Sequence, residues 1–214
     1  MNDLQRIAIL YRGLLLFNLF MLIVIFIIFP EPFSILGDPL SWLGKVGPGE
    51  GLAFYYSFWL FSAALLYNIF RWSQILLLLS KYPVWRRLLV RIAGWAVSAG
   101  FILMLFPCDR FDPIHSTGGT LVGLGMWMLS TMILIRSDSL FERRIKVWLH
   151  LILHASALFC IANFALDTSL KGFSQRPAIL TIVVITNICL ILQLQVQQKS
   201  GNCDNLPVSG LLAD

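Results

Sequence analysis

The sequence predicts an all-α fold, a polytopic integral membrane bundle of six transmembrane helices, and three observations lead to it. Hydrophobic residues make up 58% of the 214-residue chain and charged residues only 13%, whereas a soluble domain carries about 25% charged residues. The mean hydropathy is +0.80. Six apolar runs are long enough to cross a bilayer, which takes about 20 residues. Because backbone polar groups inside lipid must pair within their own segment, the runs are predicted to be helices.

Prolines and polar clusters mark the ends of these runs. Pro30 and Pro107 follow the first and third runs, and Pro177 stands at the start of the sixth. These positions indicate helix ends, because proline is disfavoured inside a helix. The second run has no firm stop before Pro83, so its length stays open. We predict one six-helix domain over residues 1–198, followed by a mobile cytoplasmic tail over 199–214. The predicted spans are 10–29, 52–72, 87–106, 116–135, 146–166 and 177–196.

The charges of the connecting segments predict the orientation. Basic residues gather between spans two and three and between spans four and five, at Arg71, Lys81, Arg86, Arg87 and Arg91 and at Arg136, Arg143, Arg144 and Lys146. By the positive-inside rule these two loops and both termini are cytoplasmic. The remaining loops face outside. The net charge of +5 therefore indicates membrane orientation, and no nucleic acid partner is predicted.

Polar residues that could carry chemistry concentrate in the outer loops. Asp38 and Ser41 lie in a glycine- and proline-rich loop after span one, and Asp109 and Asp112 lie after span three. Either Asp112 or Pro113 would begin the fourth helix, which places His115 in its first turn. Such a histidine beside carboxylates can act as a general base or a ligand, with Asp109 and Asp112 as further catalytic candidates. It can equally be a hydrogen-bonded clamp that joins two spans.

The orientation of His115 follows from helical spacing. At about 100° per residue, His115 shares a face with Gly119 and Gly123, and a Gly-x-x-x-Gly pair lets helices approach closely. We therefore expect these glycines at a helix–helix contact. His115 is then expected to face the bundle interior, in one polar cluster with Asp109 or Asp112 and with Asp167.

The fifth span carries two sets of polar residues. The first set falls within an arc of about 60° and comprises Ser156, Cys160, Asn163 and Asp167. It predicts either the lining of a polar cavity or ordinary hydrogen bonds between helices, and Ser156, Asn163 and Asp167 are binding candidates together with the two residues of loop one.

The second set is His150 and His154, whose spacing suits zinc chelation, with His115 as a third ligand. The rise of the helix separates His115 from this pair by more than about 15 Å. No metal site and no cofactor is predicted. The cysteines show no C-x-x-C spacing, so neither a zinc knuckle nor a disulfide framework is indicated.

The strings LGDPLS at 36–41 and FPCD at 106–109, with His115 after them, resemble motifs of a family of bacterial and archaeal six-span proteins known only as a domain of unknown function. A looser similarity connects them to the DRAM/FRAG/Sfk family of eukaryotic membrane proteins. The resemblance covers residues 10–196. It implies a location in the bacterial or archaeal cytoplasmic (inner) membrane, and lipid-related processes by way of the eukaryotic relatives. By position, the signature polar residues are Asp38, Ser41, Asp109 and His115.

Three functions are compatible with the sequence. The leading one is a multi-pass membrane protein that binds membrane lipids, or a membrane-protein partner, through its extracytoplasmic loops. The second is a membrane-embedded hydrolase or transferase acting on lipid head groups. A small-solute transporter is the weakest of the three, because neither an inverted repeat nor a broken helix is evident.

Overall fold

The computed structural model describes residues 3–29, 33–34, 37–45, 50–78, 83–136 and 141–199. Within these ranges the chain is all-helical, with six α-helices, one short 3₁₀ helix and no strand, as the sequence predicts for the fold class. The predicted tail, apart from Lys199, lies outside the described residues. The α-helices are α1 (Asp3–Ile28), α2 (Glu50–Leu78), α3 (Val84–Leu103), α4 (Asp112–Arg136), α5 (Arg143–Ala165) and α6 (Lys171–Lys199), and the 3₁₀ helix is Leu40–Gly44.

Within the described ranges, four helices contain stretches that are long and apolar enough to cross a membrane. These stretches are Ile9–Ile28, Asp112–Ile135, Arg143–Ala165 and Lys171–Cys189. The third helix begins with Arg86, Arg87 and Arg91, so its uncharged part is shorter than a bilayer span. Large apolar side chains are exposed on all six helices, such as Ile27, Phe61, Trp95, Leu124, Leu158 and Leu180. A surface of this kind suits contact with lipid.

The helices pack mainly as sequential pairs. The largest contacts join α1 to α2, α3 to α4 and α5 to α6, and α4 also contacts both α5 and α6. The fully buried side chains between them are mostly aliphatic, among them Ile25, Leu60, Ile133, Leu153 and Ile185. In the first turn of α4, His115 is buried, whereas Asp112, Pro113 and Ile114 are exposed.

The contact between α3 and α4 is made by glycines other than the predicted pair. A β-carbon on Gly118 would lie 2.7 Å from the carbonyl oxygen of Gly100, and one on Gly125 would lie 2.9 Å from that of Ala93. A β-carbon on Gly119 or Gly123 would meet nothing within 4 Å. The prediction for those two glycines is thus wrong. Around the axis of α4, Gly118 and Gly125 lie to one side of the buried His115, and Gly119 and Gly123 lie to the other. The close backbone approach therefore occurs at 118 and 125.

The start of α6 also differs from the prediction. The helix begins at Lys171 and runs through Pro177, which the sequence places at the start of the span. Proline removes one backbone hydrogen bond and crowds the preceding turn, a cost that membrane helices tolerate where neighbouring groups satisfy the freed carbonyl. The turn from α5 is only five residues long, 166–170, so the helix resumes well before the proline.

Candidate functional site

Residues 37–45, which include the 3₁₀ helix, lie across one end of the bundle, and we name them the strap. The backbone N–H of Leu40 donates to Oε1 of Gln175 at 3.0 Å, and Nη2 of Arg176 donates to the Asp38 carbonyl at 2.7 Å. The Cys108 thiol donates to the Ser41 carbonyl at 3.2 Å. Side chains of α6 and of the loop after α3 therefore hold the strap in place.

The two binding candidates of loop one shape the strap. The Asp38 carboxylate accepts from the backbone N–H of Ser34 at 2.7 Å, while the Asp38 N–H donates back to the Ser34 carbonyl at 2.9 Å. Ser41 contributes its main-chain carbonyl. Gly172 lies directly under the strap, where a β-carbon would collide with the Gly37 carbonyl. A side chain at that position would lift the strap from α6.

His115 lies in the first turn of α4, which begins at Asp112, and only 2% of it is exposed. It faces the interior, as predicted. Its Nδ1 lies 2.7 Å from the carbonyl oxygen of Phe106. Because a carbonyl can only accept, Nδ1 carries the proton, and Nε2 of the neutral ring is left as an acceptor. That nitrogen is buried and has no hydrogen-bond partner among the residues that the structure describes.

Tyr56 of α2 covers one face of the imidazole. The two rings stack with centroids 6.3 Å apart and planes 26° apart, and Tyr56 is 3% exposed. Its hydroxyl is also buried without a partner. A β-carbon on Gly44 of the strap would lie 2.5 Å from the tyrosine ring, so the strap packs flat on Tyr56. We name the group of Tyr56, Cys108 and His115 the His115 site.

Cys108 connects this site to the strap. Burial raises the pKa of its thiol above the ordinary 9.0, and the neighbouring Asp109 carboxylate raises that pKa further. The thiol is therefore protonated at neutral pH, as its hydrogen bond to the Ser41 carbonyl requires. A protonated thiol is a poor nucleophile.

The predicted carboxylate partners of His115 do not bond to it. Asp112 accepts from the Ser116 hydroxyl at 3.1 Å on its own helix, and Asp109 is exposed. The imidazole instead joins the loop after α3 to the start of α4 through the Phe106 carbonyl. His115 therefore forms a hydrogen-bonded clamp, and its partner is a neutral main-chain carbonyl instead of a charged carboxylate.

The polar residues of α5 are satisfied locally. The Ser156 hydroxyl donates to the Leu153 carbonyl at 3.1 Å, and the Asn163 amide donates to the Phe159 carbonyl at 2.8 Å. The Asn163 side-chain oxygen accepts from the Thr168 hydroxyl. These bonds lie within the helix and its terminal turn, so they favour a structural role over the lining of a cavity.

Asp167 does not join a cluster with His115, and the expectation that it would is wrong. The residue has φ of 53°, and the Thr168 N–H donates to the Asn163 carbonyl at 3.1 Å, which is the Schellman pattern that ends a helix. The side chain is 83% exposed and pairs with Lys171. The hydrogen bond from Lys171 lowers the pKa of Asp167 below its ordinary 3.8.

The two histidines near the start of α5 are held by aromatic neighbours. Their rings stack with centroids 5.6 Å apart, and Nδ1 of His154 accepts from the Trp127 indole at 3.0 Å. Within the described part of the chain, no three side chains of the His, Cys, Asp and Glu types gather where they could hold a metal ion.

Sequence reasoning missed Tyr56 and the polar contact between α1 and α2. Asn18 donates to the Ser62 hydroxyl at 2.8 Å and accepts from the Trp59 indole at 3.1 Å. An asparagine within an apolar run was the signal that could have located this contact. Tyr56 stands in an aromatic stretch, 54–59, where nothing distinguishes it until the ring packing is known.

The chain matches no protein-family model, and searches of curated proteins and of solved structures also find no match.

Proposed function

We propose that the chain is a six-span integral membrane protein of the bacterial or archaeal cytoplasmic membrane, with both termini cytoplasmic, that binds a hydroxyl-bearing lipid head group at the His115 site. The four apolar helices and the apolar exterior support the membrane location. The basic segments before α3 and α5 support the orientation. The resemblance to the bacterial and archaeal six-span family supports the choice of membrane.

The observation that carries the binding proposal is the pair of buried polar atoms without partners, Nε2 of His115 and the hydroxyl of Tyr56. Leaving such a group unpaired costs about 1–3 kcal/mol. The Phe106 carbonyl makes Nε2 an acceptor, whereas the tyrosine hydroxyl can donate. A ligand hydroxyl can donate to the first and accept from the second, so an alcohol group suits both atoms.

The strap makes a lipid a better candidate than a dissolved solute. Trp42 is 42% exposed, and the Lys45 ammonium lies 4.0 Å from the centre of its ring. Exposed tryptophan beside lysine is typical of the membrane–water interface. The hydrogen bonds that join the strap to Gln175, Arg176 and Cys108 each contribute at most about 3 kcal/mol, so the strap can lift without unfolding a helix. A head group at the interface can then reach His115.

Binding is favoured over transfer of a lipid group onto the protein because the described residues present no activated nucleophile. The Cys108 thiol is protonated and bonded to the strap. The Ser116 hydroxyl donates to Asp112. Acyl or phosphoryl transfer to the protein needs a nucleophile within hydrogen-bond reach of its base, and neither group is bonded to His115.

The test compares two uncharged or zwitterionic lipids on delipidated protein in detergent. Diacylglycerol offers a free hydroxyl, and phosphatidylcholine with the same acyl chains does not. We expect diacylglycerol to raise the melting temperature of the wild type and of Tyr55→Phe, the neighbouring control. Tyr56→Phe should bind about fivefold more weakly, as for the loss of about 1 kcal/mol. An equal response to both lipids, or an unchanged response of Tyr56→Phe, would refute the proposal.

A further inference from the structure

A depression lies at the opposite end of the bundle from the strap. Its volume is about 390 Å³, and it is lined by Phe141, Arg143, Lys146, Val147 and His150. Phe141 lies just before α5 and the other four residues lie in its first turns, and the other end of this helix leads into the turn that contains Asp167. The volume lies within the range of about 300–1,000 Å³ that ligand sites usually have.

The lining combines cationic and apolar groups. Arg143 and Lys146 are basic, and none of the described residues that line the depression is acidic. The Lys146 ammonium donates to the Ile135 carbonyl at 2.9 Å, which holds the amine at the wall between α4 and α5. Among the described residues, no hydrogen bond or ion pair engages the exposed guanidinium of Arg143. It is therefore available to an anion.

We propose that this depression binds the phosphate group of an anionic phospholipid. A guanidinium donates two parallel hydrogen bonds to phosphate oxygens, and an ammonium adds a point charge. Phe141 and Val147 can contact the glycerol and the first methylene groups. The apolar neighbours Ile145 and Trp148, which are 48% and 64% exposed, place the depression beside a lipid-facing surface. A phospholipid can thus contact both the cationic lining and the apolar surface beside it, whereas a free phosphate ion contacts only the cationic lining.

Positive charge in this segment is also expected from the positive-inside rule. The test must therefore distinguish a specific contact in the depression from a general effect of positive charge. Arg143 lines the depression, and the adjacent Arg144, also exposed, does not. Arg143→Gln and Arg144→Gln remove the same charge from the same turn. Both side chains are exposed, and equal melting temperatures without lipid would establish that both variants fold.

Native mass spectrometry and thermal melting of the detergent-solubilised protein would measure the binding of phosphatidic acid and of diacylglycerol with the same chains. We expect Arg143→Gln to bind phosphatidic acid about fivefold more weakly than the wild type, since it loses a direct ion pair with the phosphate. Arg144→Gln should change it less than twofold. Diacylglycerol binding should be unaffected by Arg143→Gln, and Tyr56→Phe should leave phosphatidic acid binding unchanged.

Three outcomes would overturn the inference. The first is an equal loss for both arginine variants, which would show a general effect of charge. The second is binding of phosphatidic acid that is as tight in Arg143→Gln as in the wild type. The third is a stabilisation by inorganic phosphate as large as that by phosphatidic acid at the same concentration, which would mean that the depression takes the free ion. None of these results depends on the His115 site, whose own test uses Tyr56→Phe.

Discussion

His115 and Phe106 form a hydrogen bond of 2.7 Å between the imidazole Nδ1 and the backbone carbonyl oxygen. A loop carbonyl from one helix end thereby determines the protonation pattern of a side chain on the next helix. The same bond leaves Nε2 pointing into the interior with a lone pair and no partner. The proposed lipid-binding role starts from this atom.

The first prediction concerns the tautomer of His115. We expect the neutral ring to carry its proton on Nδ1, because the Phe106 carbonyl can only accept. Nitrogen-15 spectra of histidine-labelled protein, assigned by comparison with His115→Gln, would identify the protonated nitrogen. A neutral ring with its proton on Nε2 would contradict the hydrogen bond and remove the acceptor on which the proposed function relies.

The second prediction separates two adjacent glycines on α4. Gly118→Ala should destabilise the detergent-solubilised protein by about 1–3 kcal/mol, because its β-carbon would clash with the backbone of α3. Gly119→Ala meets open space and should be neutral or stabilising by up to about 1 kcal/mol, since alanine favours a helix over glycine. Thermal melting of both variants is the measurement. The reverse order of stability would exclude the observed α3–α4 contact.

The third prediction tests the polar contact between α1 and α2. Asn18→Ala should cost about 1–3 kcal/mol, because the Trp59 indole and the Ser62 hydroxyl would each lose a partner in the interior. Asn68→Ala is the matched control. Asn68 donates only to the Ala64 carbonyl of its own helix, at 2.8 Å, so its loss should cost less. Unfolding in detergent would compare them, and equal costs would show that Asn18 does not link the two helices.

The fourth prediction concerns the pH dependence of the α5–α6 turn. The hydrogen bond from Lys171 lowers the pKa of Asp167 in the folded protein, so this pair stabilises the fold above the unfolded pKa of about 3.9. The contribution is lost as the pH falls through the lower folded value. The melting temperatures of wild type and Asp167→Asn should therefore differ slightly at pH 6 and converge in acid.

The control for this pair is Lys171→Gln, which should behave as Asp167→Asn does at pH 6. The expected difference is small because the carboxylate is exposed and screened by solvent. A gap between wild type and Asp167→Asn that widens as the pH falls would have the wrong sign and would refute the pairing.

Parts of the site could be located from the sequence alone. The position of His115 in the first turn of α4 follows from the aspartate and proline that precede it. Its inward orientation does not follow from the spacing to Gly119 and Gly123, because neither glycine contacts another helix. The identity of its partner does not follow. Three nearby acceptors were available in the junction loop, Asp109, Asp112 and the main chain, and only the path of the chain after Leu103 brings the Phe106 carbonyl within reach.

The helices themselves were determined by the sequence, because long apolar runs can satisfy their backbone groups in lipid only within the helix. Tertiary structure decided which face of each helix is buried. Gly118 and Gly119 are 100° apart on the same turn, and only the packing of α3 determines that Gly118 makes the helix contact. The tertiary structure also decided that Tyr56 covers His115 and that Asp167 turns outward. Such contacts join residues far apart in the chain, and their geometry depends on helix positions that local spacing does not specify.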